Sequence, residues 1–369
     1  MQLTPLSETS LPETSLAERQ GVIGVLADDA ARAGIFADYQ KDKPANTLRR
    51  QAGDLAVFAR YLFALTFYAY TFDSDADWQI AKQANALMSD PAEWAQITFG
   101  IVSGFVQWQL QQGYAIGSIN VRLATVKRYA ALAFQAGATD TDTAAKISSV
   151  KGFAYGKRAE ADKRRAAEGQ ATRKGSKKEK AVPLTKAQRR ALKTQPDTPQ
   201  GRRDALLICL LLDHGLRCGE IAILEVTAFT FDHEHRAGYF TFYRQKVGKT
   251  QTHDLTRDSY KAAMGYIDQD APVSGNLLCP SSKGGKLDKS GKGMSERAIT
   301  KRVEFLGRKI GIKGLSAHDG RHSAATEVAR RKDVTLDRMV EMFGWNSPAM
   351  ALTYIEAAKR ANEGVDFDE

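Results

Sequence analysis

Residues 151–180 of this chain carry eleven Lys or Arg against four acidic residues and few large apolar side chains. Such a stretch has no apolar face to bury. The segments on either side must therefore each build a core of their own. The chain reads as a flexible Ser/Thr/Pro/Glu-rich N-terminus (1–20), a folded unit over 21–150, a basic linker over 151–181 and a second folded unit over 182–369. With 369 residues, 43% of them hydrophobic, there is apolar material for both cores. A charge run of this kind is ordinarily a solvated surface. Between two basic modules it serves equally well as a segment tracking a phosphate backbone, with Lys163, Arg164 and Arg165 at its densest point.

The two units differ in period. Before the linker the pattern is helical. Leu55, Phe58, Leu62 and Leu65 recur at helical spacing, followed by Phe67 and Tyr68; Trp94, Ile97, Ile101, Phe105 and Trp108 form a second stripe. Ile119 to Leu132 forms a third, with Ser118 or Asn120 near its start. A bundle of four or five helices is expected. After the linker, Thr185 is placed to cap a helix, and Asp204–His214 reads as an apolar helix ended by Gly215. Residues 228–256 then change to β-formers, among them Phe229, Phe231, Tyr239, Phe240, Phe242 and Tyr243, with Val247-Gly248 as punctuation. A small antiparallel sheet is expected there. Beyond the glycines at 284, 285 and 291 the pattern returns to helix. The fold class is mainly α with one small antiparallel sheet: a helical domain followed by an α+β domain.

A formal net charge of +10 favours a polyanionic partner. The three cysteines, Cys209, Cys218 and Cys279, show no CxxC spacing and suggest neither a disulfide framework nor a zinc site; Cys209, within an apolar helix, reads as a small buried hydrophobe. The N-terminus has no basic start or apolar core, so no secretory signal is read from it. The longest apolar run, Ala205–Leu212, is far short of the roughly 18 residues of a membrane span. A cytoplasmic protein is expected.

Three polar segments of the second unit have spacings that bulk folding does not require. In Ser316-Ala-His318-Asp319-Gly-Arg321-His322, Ser316 and Asp319 look like a capping box, and His318 and Arg321 share one face near a helix N-terminus, where the dipole favours a phosphate. Arg217 stands where one helix stops and another begins, with Glu220 three residues on. In Phe343–Tyr354, Ser347 and Pro348 open a helix that carries Tyr354, nine residues after Trp345. Each alone has an ordinary explanation: a surface pair at helical spacing, an arginine pairing with a nearby glutamate, aromatic residues in a core. Together with Lys246 they make a set able to clamp a phosphodiester, move protons and attack phosphorus.

At these segments the chain resembles the tyrosine recombinases, the phage-integrase type of site-specific DNA recombinase. HGLRCGEIAIL (214–224) is similar to the family's first arginine box, AHDGRHSAAT (317–326) to its His-x-x-Arg box, and FGWNSPAMALTY (343–354) to its final box with the nucleophilic tyrosine. The resemblance covers about 182–360 and extends more weakly to 40–140, where residues 45–63 and 117–133 look like the family's helical core-binding domain. It implies that Arg217 and Arg321 clamp the phosphate, an arginine fork being able to bond two oxygens at once. It implies further that His318 exchanges protons there, that Trp345 takes a position held by His or Trp, and that Tyr354 forms a 3′-phosphotyrosine bond. Glu220 matches an acidic residue that supports the site. Lys246, nine residues before Leu255, matches the lysine that protonates the leaving 5′-hydroxyl, and Lys249 a second basic residue that contacts the backbone phosphates.

The resemblance implies no metal and no other cofactor, double-stranded DNA sites as partner, and a homotetramer exchanging strands through a Holliday junction, in the cytoplasm with the nucleoid. His214 and Cys218 stand where the family often has small or hydroxylated residues. About 40 residues precede the bundle, short for a further arm-site-binding domain. Residues 355–361, after the tyrosine, either dock on a neighbouring protomer or pack on their own domain. Two rivals remain: a type IB topoisomerase-like activity, which would relax supercoiled DNA lacking any target site, and a non-catalytic DNA-binding regulator, which would form no covalent adduct.

Overall fold

The computed structural model describes residues 16–66, 74–174 and 181–358. The chain divides into two compact units, 1–176 and 177–369. The described residues are mostly helical, with one three-stranded antiparallel sheet among them.

The first unit contains α1 (Leu16–Lys41), α2 (Ala45–Thr66), α3 (Ser74–Ser89), α4 (Phe99–Gln111), α5 (Ile116–Gln135), α6 (Thr141–Ser149) and α7 (Arg158–Ala167). Residues 1–15 of the N-terminal segment lie outside the described residues, while 16–20 already belong to α1. The first stripe lies on α2: Leu55 and Phe58 are fully buried, Leu65 is exposed, and Phe67 and Tyr68 lie outside the described residues.

The second stripe is not one helix. The Asp90 Oδ1 accepts the Ala92 N–H at 2.8 Å and caps a short 3-10 turn, Pro91–Trp94. Thr98 then caps α4. Burial nonetheless follows the apolar spacing. Trp94, Phe105 and Phe58 are fully buried and pack ring to ring, with Phe58 and Phe105 centroids 4.9 Å apart. α5 begins ahead of Ser118, at Ile116, whose side chain is already buried.

The basic segment also departs from expectation. Residues 158–167 form α7, and Arg165 is buried. Its guanidinium donates to the carbonyls of Leu110 (3.4 Å), Tyr114 (3.0 Å) and Thr172 (3.2 Å) and to the Asp162 carboxylate. A planar five-donor fork can satisfy several carbonyls at once, which lets an arginine close a helical corner where a lysine could not. Lys163 and Arg164 on the same helix are exposed. Of the other cations in the run, Lys177, Lys178 and Lys180 lie outside the described residues.

The second unit contains α8 (Lys186–Lys193), α9 (Pro199–Leu212), α10 (Cys218–Ala222), β1 (Phe229–Asp232), β2 (Ala237–Arg244), β3 (Lys249–Asp254), α11 (Arg257–Ile267), α12 (Glu296–Lys309), α13 (Ala317–Ala329), α14 (Leu336–Phe343) and α15 (Pro348–Ala358). The apolar helix α9 is its axis, buried from Leu206 to Leu212, Cys209 included, with α8, α11 and α13 packed on it. It starts five residues before Asp204 because Thr198 caps it and Pro199 supplies its first turn. Thr185 caps α8 with a full capping box. The strands run in the order β1-β2-β3, both pairs antiparallel, with Phe229 opposite Phe240 and Arg244 opposite Lys249. Phe240 and Phe242 alternate inward from β2. α13, α14 and α15 enclose a satellite core of Ala324, Ala325, Met339, Phe343 and Ala351. Among the described residues no helix is long and apolar enough to cross a membrane.

Candidate active site

The segment Phe343-Gly344-Trp345, where α14 ends ahead of α15, is where the separated polar boxes converge. Three arginines bind carbonyls at this corner. Arg217 Nη2 donates to Gly344 O at 3.4 Å, Arg321 Nη2 to Phe343 O, and Arg244 Nη2 to Met342 O at 2.6 Å. Trp345 then stacks on Tyr354, with ring centroids 5.5 Å apart and planes 11° apart, and on Phe343 at 4.9 Å. The Arg321 guanidinium lies 6.0 Å from the Trp345 ring centroid.

Arg217 is placed by a bend. Gly215 has φ +61°, and a Cβ there would stand 2.4 Å from Phe343 Cε1, so only glycine allows this approach. Its carbonyl accepts Arg321 Nη1 at 2.5 Å. Arg217 then caps α10, where Glu220 Oε2 accepts its N–H at 2.8 Å and Oε1 accepts its Nη1 at 2.8 Å. The same Glu220 Oε2 accepts Arg244 Nη1 at 2.8 Å. Glu220 thus bridges two arginines. Burial alone would raise its carboxyl pKa. The Arg244 charge and the hydrogen bonds and charge of Arg217 outweigh burial and hold it below the ordinary 4.5.

Arg321 sits on α13, whose start is held by Asp319. The Oδ2 of that residue accepts the Ser316 N–H at 2.7 Å and hydroxyl at 2.8 Å, and its Oδ1 accepts the Val182 N–H at 3.0 Å. The capping box read from the sequence is therefore present, and it also ties down the entry to the unit. Arg321 is buried, and burial followed by the charge of Arg217 brings its pKa down to about 9. Three guanidiniums, Arg217 half-buried and Arg244 and Arg321 buried, stand beside the single carboxylate of Glu220, and such a surplus of sheltered positive charge favours an anion more than it would in water.

His318 is exposed on the first turn of α13. Its Nε2 is 2.9 Å from the Nε2 of His322, one turn on, and the two rings meet edge to face. His322 Nδ1 is in turn 2.6 Å from the Tyr354 hydroxyl. The Tyr354 phenol is half-buried; burial raises its pKa and the Arg321 charge opposes that.

Two residues of this cluster escaped sequence reasoning. Arg244, fully buried at the end of β2, is held by Glu220, Gln251 and Met342. His322 follows Arg321 directly, and its spacing of four from His318 was the available signal. Lys246 and Lys249 are exposed. Lys246 lies in the β2–β3 turn, which is closed by the Val247 and Gly248 N–H groups on Arg244 O at 3.1 and 2.9 Å, and Lys249 opens β3. Lys163, Arg164 and Arg165 belong to the first unit. His214 is a core residue: its Nε2 is 3.0 Å from Ser259 Oγ, and burial lowers its pKa to about 3. Cys218 is half-buried beside Thr300.

Known proteins resemble this chain in sequence and in fold. The tyrosine recombinase XerA of Pyrococcus furiosus is 27% identical over 165 residues, 44% of this chain and 54% of its own. The chain thus spans about half the length of this curated relative. Among solved structures, the Tn1549 transposon integrase in complex with a circular intermediate DNA has the same fold, with a TM-score of 0.51 at 15% identity over 80% of this chain and 94% of that one. The phage integrase family model matches residues 176–361, which contain every residue of the cluster. The chain belongs to the phage integrase family, the tyrosine recombinases.

Proposed function

We propose that this chain is a site-specific DNA recombinase that cuts and rejoins strands through a 3′-phosphotyrosine intermediate. The observation that carries the reading is the corner at residues 342–345, where Arg217 and Arg321 bind adjacent carbonyls and Trp345 stacks on Tyr354. Arg217 and Arg321 hold the non-bridging oxygens of the scissile phosphate, and His318 and the Trp345 N–H bond the same group. Tyr354 attacks phosphorus, and Lys246 protonates the leaving 5′-oxygen. Glu220 keeps the first arginine in place. The covalent bond to Tyr354 conserves the energy of the phosphodiester for rejoining, so the reaction calls on no metal and no nucleotide.

Double-stranded DNA is the partner. The net charge of +10 and the DNA complex of the transposon integrase support it. The helical unit contacts the core of the site, Lys163, Arg164 and Lys249 bond backbone phosphates, and four protomers on two sites exchange strands through a Holliday junction. The 355–361 segment, of which 359–361 lie outside the described residues, either couples neighbouring protomers or packs on its own domain, and the packing of Ile355 on the α13–α15 core supports the second.

The test is covalent capture. A pool of nicked, randomised duplexes is incubated with the protein, and DNA that survives denaturation attached to it is sequenced. The wild-type chain should yield a defined sequence bound through Tyr354. Tyr354→Phe should yield no adduct while retarding the recovered duplex as the wild type does. A phosphotyrosine peptide mapping to Tyr260 or Tyr266 would overturn the assignment.

A further inference from the structure

The hydroxyl of Tyr354 is in hydrogen-bond contact with His322, not with the His318 of the sequence motif. The Tyr354 Oη to His322 Nδ1 distance is 2.6 Å and the His322 Nε2 to His318 Nε2 distance is 2.9 Å. Three groups on two helices, α13 and α15, therefore form one hydrogen-bonded string. A neutral imidazole carries one N–H. If His322 Nδ1 accepts the phenolic hydrogen, His322 Nε2 must carry the proton and donate it to His318 Nε2, leaving the His318 proton on Nδ1. The tautomers of both rings follow from one choice, and the string can pass a proton along its whole length.

We infer that His322 is a further catalytic residue, the base that takes the Tyr354 proton during strand cleavage and hands its own to His318; this rests on the cleavage reading above. In the step, the Tyr354 Oη–P bond forms and the P–O5′ bond breaks. The phenolic proton goes to His322 Nδ1, the His322 Nε2 proton goes to His318 Nε2, and the leaving 5′-oxygen takes a proton from Lys246. The charge that arrives on His318 lies beside the phosphate whose charge is increasing, which favours the transition state. Rejoining runs the same path backward. The environment of the phenol is consistent with the need for a base, since burial holds Tyr354 protonated at rest. Stacking on Trp345 fixes the ring while the proton leaves.

The experiment uses the duplex recovered by covalent capture. His322→Ala should bind it within about threefold of wild type but form adduct at least 100-fold more slowly, the low end of what a general base supplies. Added imidazole, fitting the vacated space, should recover tenfold or more of that loss. His322→Asn presents an amide oxygen near the Nδ1 position; it accepts the phenolic hydrogen bond but is not basic, so it should remain slow and respond little to imidazole. Wild-type speed in His322→Ala or in His322→Asn overturns the role, as does a His322→Ala variant that binds DNA but is not accelerated by imidazole. Absence of any adduct from the wild-type chain overturns the cleavage reading itself, and the role of His322 with it.

Discussion

Gly344 leaves no room for a side chain beside Arg244: a Cβ built on it would stand 2.4 Å from Arg244 Cδ and 2.7 Å from Nε. Arg244 cannot yield, because its guanidinium is fixed by Glu220, Gln251 and Met342. Gly344 also adopts φ 54°, ψ 55°, the left-handed conformation that ends α14. The glycine is thus required twice, by backbone and by packing.

Gly344→Ala should therefore cost about 1–2 kcal/mol for the left-handed backbone and roughly 1–3 kcal/mol more for overpacking. Denaturant unfolding measures the loss. Because Arg244 shares Glu220 with Arg217, adduct formation should fall with it. A variant as stable as wild type would mean that Arg244 has freedom the hydrogen bonds do not suggest.

Glu220→Gln tests the bridge between the two arginines. Removing one partner of a buried ion pair costs on the order of 3–5 kcal/mol, and here two guanidiniums lose their shared carboxylate. The pH dependence has a definite sign. The folded pKa of Glu220 lies below its ordinary value of 4.5, so its stabilisation is complete above 4.5 and is lost as pH falls through the folded value. The stability gap between wild type and Glu220→Gln should be largest near neutrality and narrow below pH 4.5. A gap that widens on acidification would contradict the depressed pKa.

Local spacing made the main site legible and could not make all of it so. His318, Arg321 and the Ser316–Asp319 cap lie within six residues, and one helical turn fixes their relation whatever surrounds them. Arg244 carries no such mark. It sits 24 residues from Glu220 and 98 from Met342, and in sequence it is one more cation at the end of a strand. His322 meets Tyr354 across 32 residues, so the spacing to His318 hinted at a pair but not at its purpose. The Trp94–Trp108 stripe shows the converse: apolar spacing reported burial correctly, while the caps at Asp90 and Thr98 decided where the helix began.

The basic segment separates into two kinds of cation. Lys163 and Arg164 are exposed, whereas Arg165 holds carbonyls of Leu110, Tyr114 and Thr172. Lys163→Ala with Arg164→Ala should leave stability unchanged and reduce the slope of log affinity on log salt by about 0.9 for each phosphate no longer neutralised. Arg165→Ala should instead lower the thermal midpoint by taking a donor from the part-buried carbonyls of Leu110, Tyr114 and Thr172. A salt slope that changes only with Arg165→Ala would reverse this division.

The proposed cleavage assigns the protonation of the leaving oxygen to Lys246 and not to Lys249. Lys246 and Lys249 are both exposed at the β2–β3 hairpin. Lys249 is within β3, in register with Arg244, and its backbone direction is set by the sheet. Lys246 is in the turn, two residues past Arg244, so its backbone is tied to the arginine cluster while its side chain is exposed. Lys246→Ala should slow cleavage severely, because an alkoxide leaves poorly without a proton donor. Lys249→Ala should mainly weaken binding in a salt-dependent way. Replacing the bridging 5′-oxygen with sulfur gives a leaving group that needs little protonation, and such a duplex should restore the Lys246→Ala rate toward that of wild type. Rescue of Lys249→Ala instead would exchange the two roles.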